Sequence, residues 1–204
     1  LISIERESLS HALNTKACCK TYARDMKAKY SNLKLIVAHL GSGISVSAHE
    51  NGRMIDVSNS RDEGPFSIER SGSLPLFPLL KLSFDKGLTY TDIYKITFKE
   101  GGIYSYLKTR DLNEVIKRIQ SGDDYAKLIF NAMIYQIAKE IGAMSTALRG
   151  NVSAIILTGG MANCSELIEE LKSRISFISK IEVYPGENES YSMACGALRV
   201  LYKE

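Results

Sequence analysis

The sequence predicts an α/β protein built on one mixed sheet flanked by helices, and three observations carry that reading. Residues 35–57 are apolar strands separated by Gly-Ser-Gly and Asn-Gly turns, which makes an antiparallel meander. Residues 153–202 run strand then helix twice, the order that pairs strands in parallel. Between them, residues 123–148 place apolar side chains at helical spacing, long enough to cross the back of a sheet. With 204 residues the chain can bury a substantial core, as one domain or as one lobe of something larger.

The elements follow in order. Leu9, Leu13, Ala17, Tyr22 and Met26 fall three to five apart, predicting an amphipathic helix capped by Ser8 or Ser10 with His11 in its first turn. Leu35 to Leu40 is an apolar strand that turns at Gly41-Ser42-Gly43 and returns from Ile44; Asn51-Gly52 makes the next turn, before a third strand ending at Val57. Residues 59–75 mix charges with Gly, Ser and Pro and read as a loop, and long ordered loops are often functional. Thr89 to Lys99 reads as a helix ended by Gly101-Gly102, and Leu112 to Ile119 as a shorter one between an Asp111 cap and Gly122. The longest helix runs from Asp123-Asp124 to Leu148, its core stripe being Ala126, Ile129, Phe130, Met133, Ile137, Ile141, Met144 and Leu148. Ser153 to Leu157 is a fully apolar strand entering Thr158-Gly159-Gly160-Met161-Ala162-Asn163, with a helix from near Ser165. A further strand, Ile181 to Tyr184, ends in Pro185-Gly186-Glu187-Asn188-Glu189, and a helix from Ser190 to Tyr202 closes the chain.

A net charge of +3 from 26 basic and 23 acidic residues, without runs of one sign, gives no electrostatic case for nucleic acid or a membrane surface; small anions fit better. The cysteines, Cys18, Cys19, Cys164 and Cys195, lack paired metal-ligand spacing, and the adjacent pair is awkward for a disulfide, which suits a reducing cytoplasm. No apolar stretch approaches the ~20 residues a bilayer span requires, and the first residues lack signal-peptide order. The chain opens without Met, as a fragment of a longer product would.

Two glycine turns, Gly41-Ser42-Gly43 and Gly159-Gly160, sit at strand ends, where open α/β sheets place ligands, and main-chain N–H groups there can meet a phosphate. Neither matches the Walker or dinucleotide pattern, so both also read as structural turns. Arg70, in a loop of glycine and serine, can reach a transferring phosphoryl group or simply be solvated. His11 can donate to an anion or sit half-buried beside a helix cap, and His39 reads as a satisfied core histidine. Glu187 and Glu189 can hold magnesium through water or favour the start of the next helix.

Three segments in order, His39-Leu40-Gly41-Ser42-Gly43-Ile44-Ser45-Val46-Ser47-Ala48-His49, Glu63 to Pro75 and Thr158-Gly159-Gly160-Met161-Ala162, resemble the butyrate kinases, as do Tyr184-Pro185-Gly186-Glu187 and residues 196–201. The resemblance covers nearly the whole chain. It implies a ribonuclease-H-like fold, shared with acetate kinases, sugar kinases, heat-shock ATPases and actin, in which ATP lies in a cleft between two lobes. Residues 1–204 resemble the C-terminal lobe; the family's N-terminal Asn-x-Gly-Ser-x-Ser-x-Lys phosphate loop does not occur in the sequence. By matching motif, His11 corresponds to the histidine that steadies the transferring phosphoryl group and Arg70 to the catalytic arginine. His39, Gly41, Ser42 and Gly43 correspond to the second phosphate motif, and Gly159, Gly160 and Met161 to the adenosine motif; Glu187 or Glu189 falls near the magnesium-associated glutamate. Ser42 departs from the pattern, since glycine is commoner there in butyrate kinases and asparagine in acetate kinases. The implied partners are ATP or ADP, Mg2+, a short-chain fatty acid or its acyl phosphate, and further copies of the chain in a homo-oligomer. The rival reading is a non-catalytic nucleotide-binding lobe or a truncated paralogue.

Overall fold

Side-chain alternation along the strands sorts the interior into two cores, one on each face of a single sheet. The structure is a computed structural model and describes residues 9–61, 63–186, 193, 194, 196–198 and 201. Its elements are α1 (Ala12–Asp25), β1 (Leu35–Leu40), β2 (Ile44–Glu50), β3 (Arg53–Val57), α2 (Leu76–Lys86), α3 (Tyr90–Tyr94), α4 (Gly102–Leu107), α5 (Leu112–Gln120), α6 (Asp124–Ala147), β4 (Ala154–Gly159), α7 (Ser165–Ile175) and β5 (Ile181–Pro185). The sheet order is β3-β2-β1-β4-β5, with β1, β2 and β3 antiparallel in sequence and β1, β4 and β5 parallel. This is the expected mixed sheet. Asn51 and Gly52 turn with φ of 53° and 73°, the paired positive values of a type I′ hairpin.

Ile36, Ala38, Leu40, Ile44, Val46, Ala48, Ile155 and Leu157 face the larger core, which α6 fills with Ala126, Ile129, Phe130, Met133, Ile134, Ile137, Ile141 and Met144. Each such large aliphatic or aromatic side chain contributes roughly 1.5–3 kcal/mol on burial, so this stripe is the principal weld between helix and sheet. Asp111 caps α5 by accepting from Asn113 N, as the sequence predicts, and Asp123 caps α6 by accepting from Ala126 N. On the other face Leu35, Val37, Ala154 and Ile156 pack with Cys18, Cys19 and Tyr22 of α1.

Several expectations are corrected. The first helix begins at Ala12 with His11 as its N-cap residue, not Ser8 or Ser10, and no side chain caps it. Its buried face is Asn14, Thr15, Cys18, Cys19, Tyr22 and Ala23, whereas Leu9, Leu13 and Met26 are exposed. The sheet face it covers carries polar residues of its own, so α1 is packed by small and polar side chains rather than by its leucines. The helix expected over 89–99 is α3 followed by a π-helical turn, Lys95–Lys99, and Gly101-Gly102 opens α4 as well as ending that turn. The described residues of the predicted loop reach Pro75 without regular structure, but α2 follows directly and was not foreseen. The described residues of the last predicted helix, Met193, Ala194, 196–198 and Leu201, are helical. Among the described residues no helix is long and apolar enough to cross a membrane.

Candidate functional site

The parallel pairing of β1 with β4 sets His39 beside Thr158, so the two glycine turns leave the sheet next to each other at the carboxyl ends of adjacent strands. Gly159 has φ of 91°, and a Cβ there would collide with the Leu40 backbone, so only glycine lets the second turn lie against the first strand. Gly160 is open, with nothing within 4 Å of a would-be Cβ, and begins a 3-10 turn, Gly160–Asn163, in which Met161 is buried. Gly41 and Gly43 are buried, and Ser42 is exposed between them.

The loop that follows β3 brings Arg70 onto the first turn. A Cβ on Gly43 would overlap the guanidinium of Arg70, which is therefore seated directly on the glycine. Arg70 Nη1 donates to the Ser60 carbonyl at 2.8 Å and to Ser60 Oγ at 3.0 Å, its Cζ lies 4.4 Å from the centre of the Phe98 ring, and its buried Nε has no hydrogen-bond partner. Burial lowers the pKa of Arg70 from the usual arginine value, while Glu69 and Tyr94 oppose that effect; an arginine remains a cation regardless. The backbone beneath is fixed at several points. Ser67 Oγ donates to the Ser42 carbonyl and accepts from Arg70 N at 3.3 Å, while Gly101 N donates to Glu69 O and Ser71 N to Thr97 O. Glu69 also pairs with Arg110 at 3.0 Å, and the Arg110 guanidinium lies 3.7 Å from the Tyr104 ring centre.

His39 is fully buried in the core and has Nδ1 3.0 Å from Asn14 Oδ1. Burial lowers its pKa to about 4, which keeps the ring neutral. His11 stacks on it, ring centroids 3.7 Å apart, and places Nδ1 3.0 Å from Ser45 Oγ. Cys18 Sγ lies 3.5 Å from Thr158 Oγ1, and burial raises the Cys18 pKa. The structure thus gathers His11, His39, Gly43, Arg70 and Gly159 at one end of β1 and β4. Glu187 and Glu189 lie outside the described residues, and among the described residues no group of three His, Cys, Asp or Glu side chains could hold a metal ion.

Sequence reasoning missed Ser45, Ser60, Ser67, Phe98 and Asn14. Ser45 was accessible: in β2 the alternation Ile44-Ser45-Val46-Ser47-Ala48-His49 sends Ser45, Ser47 and His49 to the α1 face, beside His39, its cross-strand partner. The others have no periodic signal, because loop closure and helix docking create their contacts.

Nucleotide phosphates fit this constellation. Side-chain-free main chain at Gly43 and Gly159, an arginine with an unpartnered buried N–H, and a stacked histidine pair meet at this end of the sheet. Relatives support a common ancestry. The Acetokinase family profile matches residues 7–196. The chain is 48% identical over 201 residues to "Probable butyrate kinase 2" of Caldanaerobacter subterraneus subsp. tengcongensis, covering 98% of this chain and 57% of that protein. It is 45% identical over 205 residues to "Butyrate kinase 1" of Clostridium acetobutylicum, covering 100% of this chain and 58% of that protein. The chain therefore spans little more than half the length of these curated relatives. The crystal structure of Porphyromonas gingivalis acetate kinase superposes with a TM-score of 0.86 at 24% identity, over 94% of this chain and 55% of that one, so the two share a fold over that region. By sequence and by fold, the chain belongs to the acetokinase family.

Proposed function

We propose that residues 1–204 are the C-terminal lobe of a two-lobe carboxylate kinase that moves the γ-phosphoryl of ATP to the carboxylate of a short-chain fatty acid such as butyrate, reversibly. The observation that carries this reading is the seat of Arg70 on Gly43, which sets a cation on the very turn that offers main-chain N–H groups to a phosphate. The relatives named as butyrate kinases supply the substrate class.

The chemistry asks little of the protein beyond charge and alignment. A carboxylate nucleophile is ionised at neutral pH and needs no general base. The transferring phosphoryl gains charge on its equatorial oxygens, and donors already in place at that point lower the barrier without reorganisation. Arg70 is held by Ser60 and the Phe98 ring, so its remaining N–H groups are preoriented. His11 adds a ring held parallel to neutral His39, with no like charge beneath it. Gly159, Gly160 and Met161 would line the nucleotide beside them. Magnesium, when bound with the nucleotide, would neutralise phosphate charge; by resemblance to the family motif, Glu187 or Glu189 would be the carboxylate associated with it.

The test is ATP-dependent hydroxamate trapping of the acyl phosphate by this chain, with magnesium and butyrate, and acetate alongside. Product formation would show that this lobe carries a complete site. A folded sample that binds ATP and makes no product would overturn catalysis by this chain and leave a nucleotide-binding lobe.

A further inference from the structure

Phe98 enters the function described above only as a neighbour of Arg70, yet its position is costly to arrange. Thr89 opens α3 with a reciprocal capping box to Asp92, so the helix starts at a defined residue. At Lys95 the repeat widens: Glu100 N donates to Lys95 O at 2.9 Å, the bond of a π-helical turn. Such turns are poor in isolation and recur at functional sites, where they re-aim a side chain. Here the turn is tied to the arginine loop through Ser71 N, which donates to Thr97 O at 2.8 Å, and through Gly101 N, which donates to Glu69 O at 2.9 Å. The side chain it presents to that loop is Phe98, its ring 4.4 Å from Arg70 Cζ.

We propose that Phe98 is a positioning residue for Arg70: its ring and Gly43 clamp the guanidinium, so that the cation meets a phosphoryl group already oriented and shielded from water. This rests on the kinase reading for its catalytic consequence but not for the clamp itself. An aromatic face attracts a guanidinium, more strongly when both are shielded from water. A half-exposed arginine without that face would sample many rotamers, and the entropy of ordering it would then be met in the transition state. Ser60 contacts only Nη1, which leaves the plane of the group free to swing without the ring. Phe98 also forms part of the wall of a cavity of about 370 Å³ bounded by Leu76, Leu79, Tyr90 and Ile93, so a smaller residue at 98 would open the guanidinium to that space.

Two substitutions separate the ring's π face from its bulk. Phe98→Leu keeps an apolar side chain and removes the face; Phe98→Tyr keeps both. Arg70 labelling by a dicarbonyl reagent, read by mass spectrometry of its peptide, reports shielding without any turnover. Hydroxamate kinetics report the catalytic effect. Phe98→Leu is expected to speed Arg70 labelling severalfold and to cut kcat about tenfold while the KM for ATP stays within about twofold, with Phe98→Tyr close to wild type in both. Unchanged labelling in Phe98→Leu, or equal loss of kcat in the two variants, would overturn the clamp. If the wild-type chain makes no acyl phosphate, the kinase reading of this chain fails on its own, and the labelling rates still decide the clamp.

Discussion

The ring of His11 lies flat on the ring of His39, centroids 3.7 Å apart and planes 12° from parallel. The two are unequal partners. His39 is buried with Asn14 as its hydrogen-bond partner, and His11 is half-buried at the start of α1 beside Ser45. A buried neutral ring makes a flat floor that carries no repelling charge, so the outer imidazole is oriented by stacking and by one hydroxyl. Replacing His11 by Ala is accordingly expected to lower acyl phosphate formation about a hundredfold, within the range of one electrostatic donor, and to leave thermal stability nearly unchanged. A variant with wild-type kcat would remove His11 from the phosphoryl site.

Stability should depend on pH through the buried histidines. His39 and His49 are both held to a pKa of about 4, chiefly by burial, against an ordinary value of 6.5. Between those limits the unfolded chain binds protons that the folded chain refuses, so stability is full above about pH 6.5 and falls as pH drops toward 4. At its steepest each histidine contributes roughly 1.4 kcal/mol per pH unit. Urea melts at a series of pH values read this directly. His49→Gln should remove about half of the slope, and a flat profile down to pH 4.5 would contradict the burial account.

Arg70→Ala should cut turnover by about a thousandfold or more, as loss of an arginine at a transferring phosphoryl group does elsewhere. Arg70→Lys should recover little of it, because an ammonium cannot both donate to Ser60 and lie flat under Phe98. Hydroxamate assays of the two variants check this, and a lysine enzyme near wild type would show that charge alone suffices.

The three glycines of the site should respond differently to alanine. At Gly159 the new Cβ meets the Leu40 backbone with φ of 91°, and a loss of roughly 1–3 kcal/mol or more is expected in denaturant melts. At Gly43 it meets only the end of the Arg70 side chain, which can swing away, so stability holds while kcat falls. Gly160 has open space and should tolerate alanine in stability. Parallel melts and rate measurements on all three decide the matter, and equal stability losses at Gly43 and Gly159 would refute the distinction.

Much of the fold was legible from short-range pattern. The Asp111 cap, the eight-residue apolar stripe from Ala126 to Leu148 and the Asn51-Gly52 hairpin are local signals, and each reappears in the structure. The amphipathic reading of α1 failed because it assumed an apolar partner. Its Asn14 and Cys18 are buried against His39 and Thr158, so polar residues belonged on the inner face and Leu13 on the outer. The helix α2 was missed because Pro75 opens it with no capping side chain after a loop full of breakers.

Residue order alone was sufficient for the strands, most helices, the two glycine turns and, through resemblance, the candidate roles of His11 and Arg70, since periodicity, caps and turn chemistry act over a few residues. The seat of Arg70 on Gly43, its partners Ser60 and Phe98, and the stacking of His11 on His39 came from folding. These contacts join residues 10 to 28 positions apart or lie across the β1–β4 register, where Leu40 meets Gly159. Strand pairing and loop closure set such distances, and neither is written in any single stretch of chain.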